Sequence, residues 1–131
     1  LWVALFLAYS GVCAAEPPSP QSAPWSAQRV IDARNAGKIV FVAFRADWCV
    51  VCRLNELTVF RTAEVRAALA QANVEYLVAD YTNKNNPAIK HQLEYYQAGA
   101  LPMYLVFRPD QRRPAVLQQM PGKKDLIEAL R

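Results

Sequence analysis

The sequence predicts an α/β domain in which a central mixed β-sheet is flanked by helices. Two apolar segments, 38–46 and 74–81, are rich in β-branched and aromatic residues, as expected of strands covered on both faces. Predicted helices separate them, so these strands are expected to be parallel. Two shorter apolar segments, 103–107 and 115–120, are separated by a turn-forming stretch, which favours an antiparallel hairpin.

The predicted elements follow from the local residue pattern. Ser26 is placed to cap the first helix and Gly37 to follow its end. Asn86 and Pro87 form a cap and first-turn pair that opens a later helix, and Gly99 is expected to end it. In chain order we predict helix 27–36, strand 38–46, helices 50–60 and 62–72, strand 74–81, helix 87–96, strands 103–107 and 115–120, and helix 123–131.

Length, composition and charge indicate one domain with scattered charges. The chain has 131 residues, of which 53% are hydrophobic, enough for a single core. Its net charge of +4 is not gathered into a stripe, which argues against nucleic-acid binding. The densest basic stretch, 108–113, contains Pro109 and Asp110 and is followed by Pro114, so we interpret it as a solvated turn rather than a phosphate or lipid-headgroup site.

The first 24 residues are expected to lie outside the folded domain. Residues 1–15 are apolar and uncharged, and we interpret them as a truncated signal peptide or the end of a transmembrane helix. Either interpretation points to an extracytoplasmic compartment. Cys13, the odd cysteine of three, lies there and is expected to be free or paired outside the chain. Residues 16–24 form a proline-rich linker, and the folded domain is predicted over 25–131.

A pair of cysteines, Cys49 and Cys52, follows Trp48 at the junction between a predicted strand and a predicted helix. A spacing of three residues places both sulfurs on one helical face, close enough for a disulfide. Cys49 lies at the helix N-terminus, where unpaired N–H groups and the helix dipole stabilise a thiolate. We therefore expect Cys49 to attack a partner's disulfide and Cys52, one turn further in, to resolve the mixed disulfide.

Two other interpretations of the pair are weaker. A zinc site normally needs four ligands, and beyond the pair the chain offers Cys13, outside the fold, and His91, alone on a helix. Chance burial of two core cysteines gives no reason for their placement between strand and helix. A redox couple is favoured, with no metal and no cofactor expected.

The motif "DWCVVC" after a buried strand, and Pro102 in "GALPMYLVF", resemble the thioredoxin superfamily over residues 25–131. Within it, "ADWCVVCRLNE", "LVADYTNKN" and "AVLQQM" after "GALPMYLVF" are similar to the C-terminal periplasmic domain of the DsbD family of thiol:disulfide interchange proteins. That resemblance implies a thioredoxin-like fold. It also implies a domain that takes electrons from a membrane donor domain and passes them to periplasmic partners.

The predicted function is protein-disulfide reduction in the periplasm by a monomer. If residues 1–15 are the end of a transmembrane helix rather than a signal peptide, they would tether it to the inner membrane. The partners would be protein disulfides or dithiols, with no nucleic acid. One alternative is a stand-alone periplasmic thioredoxin-like protein for cytochrome c maturation or oxidative folding. Another is a non-catalytic binding module that keeps the fold.

The residues around the cysteine pair bear on whether it acts as a reductant or an oxidant. In strongly oxidising relatives a histidine between the cysteines stabilises the thiolate, whereas this chain has Val50 and Val51 there. Asp47 and Glu56 place negative charge near Cys49, which raises a thiol pKa and opposes thiolate formation. Both features predict a reductant. Asp47 is, however, better placed to cap the helix, and Glu56 is equally compatible with a solvated helix residue.

The resemblance also shows one departure. Thioredoxins usually carry a buried acid six residues before the first cysteine, and this chain has Ala43 there. Either Glu56 substitutes for that acid or the partner supplies the base. Arg45 and Arg53 flank the pair and could offset the nearby acids, although such residues more often face water.

Two further features are implied for partner binding. The resemblance implies a cis bond between Leu101 and Pro102, opposite the cysteines. The backbone of Leu101 would then pair with an extended segment of a partner, a form of strand addition. Trp48 is expected to cover the cysteines and offer an apolar contact surface, or else to pack against the sheet edge.

Overall fold

The computed structural model describes residues 21–131. A five-stranded mixed sheet has the strand order β1-β3-β2-β4-β5. The strands are β1 (Ala23–Pro24), β2 (Ile39–Arg45), β3 (Val74–Asp80), β4 (Met103–Phe107) and β5 (Ala115–Val116). The helices are α1 (Ala27–Asn35), α2 (Val50–Asn55), α3 (Ala63–Leu69), α4 (Pro87–Tyr95) and α5 (Lys123–Ala129), and a π-helical segment, Glu56–Phe60, follows α2 directly.

β2 occupies the centre of the sheet and sets its geometry. It pairs in parallel with β3 and antiparallel with β4, while β1 is parallel to β3 and β5 is antiparallel to β4. Residues 39–44 of β2 are all buried because helices cover both faces of the sheet. The mixed sheet flanked by helices is therefore confirmed, as is the C-terminal hairpin.

The core forms two layers, one on each face of the sheet. On one face, Phe41 and Tyr104 stack at a centroid distance of 5.9 Å, and side chains from α3, the π segment and α5 pack around them. On the other face, Val42 and Phe44 pack against Ile89 of α4 and against α1. Alternate residues of β2 thus pack into opposite layers, because successive side chains of a strand point to opposite faces of the sheet.

Several local predictions are confirmed. The Ser26 hydroxyl accepts a hydrogen bond from the Arg29 N–H at 3.1 Å and caps α1. Gly37 follows that helix with a φ of +75°, a conformation that favours glycine. The Asn86 side chain accepts from two backbone N–H groups of α4, and Pro87 occupies its first turn.

Other boundaries differ from the prediction. The helix predicted over 50–60 changes to π-helical geometry at Glu56. The π segment is too short for its residue pattern to be distinguished from that of an α-helix. The backbone turns at Gln97, with a φ of 55°, two residues before the glycine expected to end α4. β5 spans two of the six residues predicted, because the segment after it turns away to contact other elements.

The proline-rich stretch also holds a short strand that was not predicted. Ala23 and Pro24 pair with β3, and the Trp25 N–H donates to the Val78 carbonyl at 2.8 Å. A proline is tolerated there because β1 is an edge strand. The interpretations given to residues 1–15 and to Cys13, and residues 16–20 of the linker, lie outside the described part of the chain. Over residues 21–131, no helix has the length and apolar character needed to cross a bilayer.

The buried phenol of Tyr104 predicts a loss of stability at alkaline pH. Burial raises the pKa of Tyr104 from the ordinary value of 10.0 to about 12. Between these two values the unfolded chain has lost a proton that the folded protein keeps, so the free energy of unfolding falls as pH rises. Two pKa units correspond to roughly 3 kcal/mol.

We therefore expect wild type to be more stable than Tyr104→Phe near neutral pH and to lose that advantage between about pH 10 and pH 12. Urea unfolding at a series of pH values measures the difference. Tyr95→Phe, at a tyrosine that is 69% exposed, is the matched control. A gap between wild type and Tyr104→Phe that stays constant across this range would contradict the argument.

Candidate active site

The sheet brings three chain segments together at one end. The last residue of β2, Arg45, lies opposite Asp80, the last residue of the parallel strand β3. On the other side, Phe44 lies opposite Met103, the first residue of the antiparallel strand β4. The junction from β2 to α2, the loop after β3 and the loop before β4 therefore meet at this end.

The cysteine pair lies at the N-terminus of α2. Cys49 is the N-cap residue, and its Sγ accepts a hydrogen bond from the Cys52 N–H at 3.1 Å. The two residues form a disulfide, with their Cα atoms 5.3 Å apart. Cys49 is 6% exposed and Cys52 is fully buried. In the reduced protein the same N–H would stabilise a thiolate on Cys49, which fits the attacking role expected for it.

The loop before β4 forms the opposite wall of the site. The Leu101-Pro102 peptide bond is cis, as the resemblance implied. Leu101 packs against a small cluster of buried residues formed by Ala46, Cys49 and Cys52. The loop thus lies against the cluster that contains both cysteines, while the roles expected for Leu101 and Pro102 in partner binding stay predictions.

Arg45 organises the charges beside the cysteines. Its guanidinium donates to Glu56 and to Asp47, each at 2.7 Å, and to Asp80 at 3.1 Å. Burial opposes the charged form, but the hydrogen bonds to Glu56 and Asp47 leave the pKa of Arg45 raised overall. Partial burial also acts to raise the pKa of Asp80, yet hydrogen bonds from Thr82 and the charge of Arg45 lower it. Three carboxylates are thus held around one cation.

The contact of Asp47 with Arg45 corrects one prediction. The N-cap of α2 is Cys49, so Asp47 does not cap this helix. Its carboxylate is directed to Arg45 because the guanidinium, 14% exposed, offers a charged partner at the end of β2. Glu56 likewise pairs with Arg45 and is not simply solvated. Of the two arginines suggested to offset these acids, Arg45 does so and Arg53 is exposed.

The loop after β3 anchors Trp48 and was missed as part of the site. The Trp48 Nε1–H donates to the Thr82 carbonyl at 3.0 Å, and the Lys84 ammonium lies 4.5 Å from the ring centroid. The Thr82 hydroxyl, which donates to Asp80, also accepts from the Asp47 N–H at 3.0 Å. Trp48 remains 50% exposed. The sequence signal for this loop was its polar residues, which come directly after β3, the strand predicted to be parallel to β2.

Ala43, at the position where thioredoxins usually carry a buried acid, borders a small cavity. Ala43 lines a cavity of about 110 Å³ together with Glu56, Tyr76 and Tyr104. Burial raises the pKa of Tyr76 to about 12, so its phenol is neutral at physiological pH. Glu56 is therefore the carboxylate that borders the space left by the small side chain at position 43.

Two polar residues that the sequence analysis overlooked connect α2 to the rest of the site. Asn55 is 2% exposed, and its amide donates to the Tyr104 hydroxyl at 3.0 Å and to the Gln119 carbonyl at 2.7 Å. The Gln119 side chain donates to the Ala100 carbonyl at 3.2 Å. A single asparagine inside an amphipathic helix carries no sequence signal that distinguishes it from a surface residue.

Comparison with known proteins places this geometry in a family. A family model described as thioredoxin-like matches residues 21–109, and the chain belongs to that family. It is a thioredoxin-like oxidoreductase by fold and by its cysteine pair.

Within the family the chain is similar to the thiol:disulfide interchange protein DsbD. It is 34% identical over 83 residues to DsbD of Photorhabdus laumondii, a match covering 63% of this chain and 14% of that protein. It is 36% identical over 78 residues to DsbD 1 of Pseudomonas aeruginosa, covering 60% of this chain and 13% of that protein. The chain thus corresponds to about one seventh of the length of these relatives.

Solved structures agree on the fold. The C-terminal domain of Neisseria meningitidis DsbD in its oxidised form matches with a TM-score of 0.62 at 24% identity, covering 82% of this chain and 95% of that domain. A thioredoxin from Thermus thermophilus matches with a TM-score of 0.67 at 16% identity, covering 86% of this chain and 85% of the other.

The charge cluster around Arg45 predicts a pH-dependent effect of its removal. We expect Arg45→Gln to lower the free energy of unfolding near pH 7 by roughly 1–2 kcal/mol, after allowing for solvent screening of three partly exposed carboxylates. The folded-state pKa of Asp80 is lowered, so its contribution is present above its unfolded pKa and is lost as pH falls through the folded value. The effect of the substitution should therefore shrink in acid, as Asp80 takes up its proton in the folded protein.

Denaturant unfolding near pH 7 and below pH 3 measures this effect. Arg112→Gln removes the same charge from the turn after β4, at the opposite end of the sheet, and serves as the control. An equal loss of stability at both pH values would show that Arg45 acts through packing rather than charge.

Proposed function

We propose that this domain reduces protein disulfides by dithiol-disulfide exchange through Cys49 and Cys52. The observation that carries the proposal is the cysteine pair itself. One sulfur caps a helix and receives an N–H hydrogen bond, and the other is buried one turn away. A cis-proline loop, whose Leu101 packs against the cluster that contains both cysteines, would provide a surface for an extended partner.

The reaction proceeds in two exchanges. The Cys49 thiolate attacks one sulfur of a partner's disulfide, forming a mixed disulfide and releasing the partner's other sulfur as a thiolate. The Cys52 thiolate then attacks Cys49, which forms the Cys49–Cys52 disulfide and releases the partner's second thiol. The partner gains two electrons and two protons in total. A donor dithiol must return two electrons to the domain before the next cycle.

The direction of transfer rests on the residues between the cysteines and on the likeness to DsbD. Val50 and Val51 offer no charge or hydrogen bond that would stabilise the Cys49 thiolate and favour the reduced form. The argument from Asp47 and Glu56 is weaker than the sequence suggested, because Arg45 neutralises much of their charge.

The likeness to DsbD also supports a place in an electron relay. The domain would receive electrons from a membrane donor domain and deliver them to periplasmic partner proteins. The N-terminal segment would serve as signal peptide or membrane tether. A stand-alone thioredoxin-like protein of cytochrome c maturation or oxidative folding would keep the same site chemistry and differ in its partners.

The reduction potential of the cysteine couple tests the direction. We expect a value near that of thioredoxin, roughly −270 mV, when the domain is equilibrated in glutathione buffers. Reduced and oxidised fractions are read by alkylation and mass spectrometry. A value near roughly −120 mV would mean that the domain is an oxidant.

Single cysteine variants test the mechanism. We expect Cys52→Ser to accumulate a mixed disulfide with a protein disulfide substrate, because the resolving thiol is missing, and Cys49→Ser to form none. Gel electrophoresis without reductant measures the adduct. A wild-type protein that binds partners but reduces no disulfide, with binding unaffected by Cys49→Ser, would instead support a binding module.

Glu56 is the candidate acceptor for the Cys52 proton, because it borders the cavity beside Ala43. Glu56→Gln should slow release of the mixed disulfide by about tenfold or more while leaving its formation little changed. Stopped-flow kinetics separates the two steps. Glu64→Gln, at an acid in the first turn of α3, is the control. Equal release rates in wild type and in both variants would assign the base to the partner.

A further inference from the structure

The segment after β5 lies between the two walls of the site. Gln119 contacts both walls, and it does so through different groups. Its backbone carbonyl accepts a hydrogen bond from the Asn55 amide at 2.7 Å, and its side-chain amide donates to the Ala100 carbonyl at 3.2 Å. One residue thus links the cysteine helix to the loop that precedes β4.

The link is fixed firmly at the helix end. Asn55 lies three residues after Cys52, at the last position of α2, and is 2% exposed. Its amide also donates to the Tyr104 hydroxyl at 3.0 Å, so both donors of the Asn55 amide have partners. Leu117, two residues before Gln119, donates its N–H to the Tyr104 carbonyl at 3.0 Å. The segment that carries Gln119 is therefore attached to β4 as well as to α2.

At the loop end, Ala98 and Leu101 pack against buried residues, but hydrogen bonds are few. Residues 99–101 lie outside regular secondary structure, and Gly99 and Ala100 are exposed. Among residues 21–131, the bond from Gln119 is the hydrogen bond that restrains the backbone of residues 99–101. The next residue, Leu101, packs against the buried cluster of Ala46, Cys49 and Cys52. A restraint on Ala100 therefore acts one residue away from the residue that packs against the cysteine cluster.

We propose that Gln119 is a positioning residue that holds the Leu101-Pro102 loop at a fixed distance from the cysteine pair, so that an extended partner segment can dock between them. This inference rests on the proposed function. A loop ordered in advance does not have to be ordered when the partner binds, which favours binding of extended substrates. A small disulfide that makes no backbone contact with Leu101 does not depend on the restraint.

The test uses two pairs of variants of the full chain. Gln119→Glu keeps the size of the side chain and removes its donor, and Gln119→Ala removes the side chain without adding charge. Both leave the backbone carbonyl used by Asn55 in place. Gln118→Glu and Gln118→Ala make the same changes at the neighbouring exposed residue. Thermal unfolding verifies that all four variants fold.

Two substrates distinguish an effect on the docking of an extended partner from an effect on disulfide exchange itself. The first is a short peptide dimer joined by one central cystine, and the second is 5,5′-dithiobis(2-nitrobenzoic acid). In single-turnover stopped flow with the pre-reduced domain, we expect both Gln119 variants to raise the half-saturating peptide concentration about threefold to tenfold with little change in the limiting rate, as for loss of one neutral hydrogen bond. With the small disulfide, their rates should equal that of wild type. Equal effects in the Gln118 variants, or equal slowing with both substrates, would overturn the proposal.

A second measurement does not require turnover. Backbone ¹⁵N order parameters at Ala100 and Leu101 should fall in the Gln119 variants and stay unchanged in the Gln118 variants. Unchanged values in the Gln119 variants would overturn the positioning role even if the peptide kinetics differed. A wild-type domain that reduces neither substrate would refute the reductase, while the order parameters would still decide whether Gln119 restrains the loop.

Discussion

The burial of β2 between two strands of opposite direction is the constraint on which the site depends. A parallel neighbour places the end of β3 beside the end of β2, and an antiparallel neighbour places the start of β4 there. The cysteine junction, the loop that anchors Trp48 and the cis-proline loop therefore meet at one end of the sheet, although helices separate them along the chain. A shift of β2 by one residue would exchange the side chains of its two faces and separate these parts.

Charge at the site is organised locally rather than spread over the surface. Arg45 is less exposed than any of the three carboxylates it contacts, so the cation occupies the centre of the cluster. Acids that would repel a thiolate are thereby held in place and partly neutralised next to a reactive sulfur. The basic character of the whole chain contributes little to this arrangement.

The sequence predicted the features that depend on local pattern. Strand composition, helix caps such as Ser26 and Asn86, and the cysteine spacing were readable because each follows from neighbouring residues. The π segment, the ion pair between Arg45 and Asp80, and the bonds of Asn55 and Gln119 were not. Each depends on residues distant in the chain or on a backbone change that leaves no residue periodicity.

The shortness of the outer strands has a consequence for how the domain meets other chains. β1 and β5 are two residues long, and Pro24 in β1 lacks a donor. Edge strands this short, one of them containing a proline, offer few backbone groups for pairing with the sheet edge of a neighbouring molecule. In the described part of the chain, the two edges of the sheet therefore leave little main chain open to pairing with another molecule.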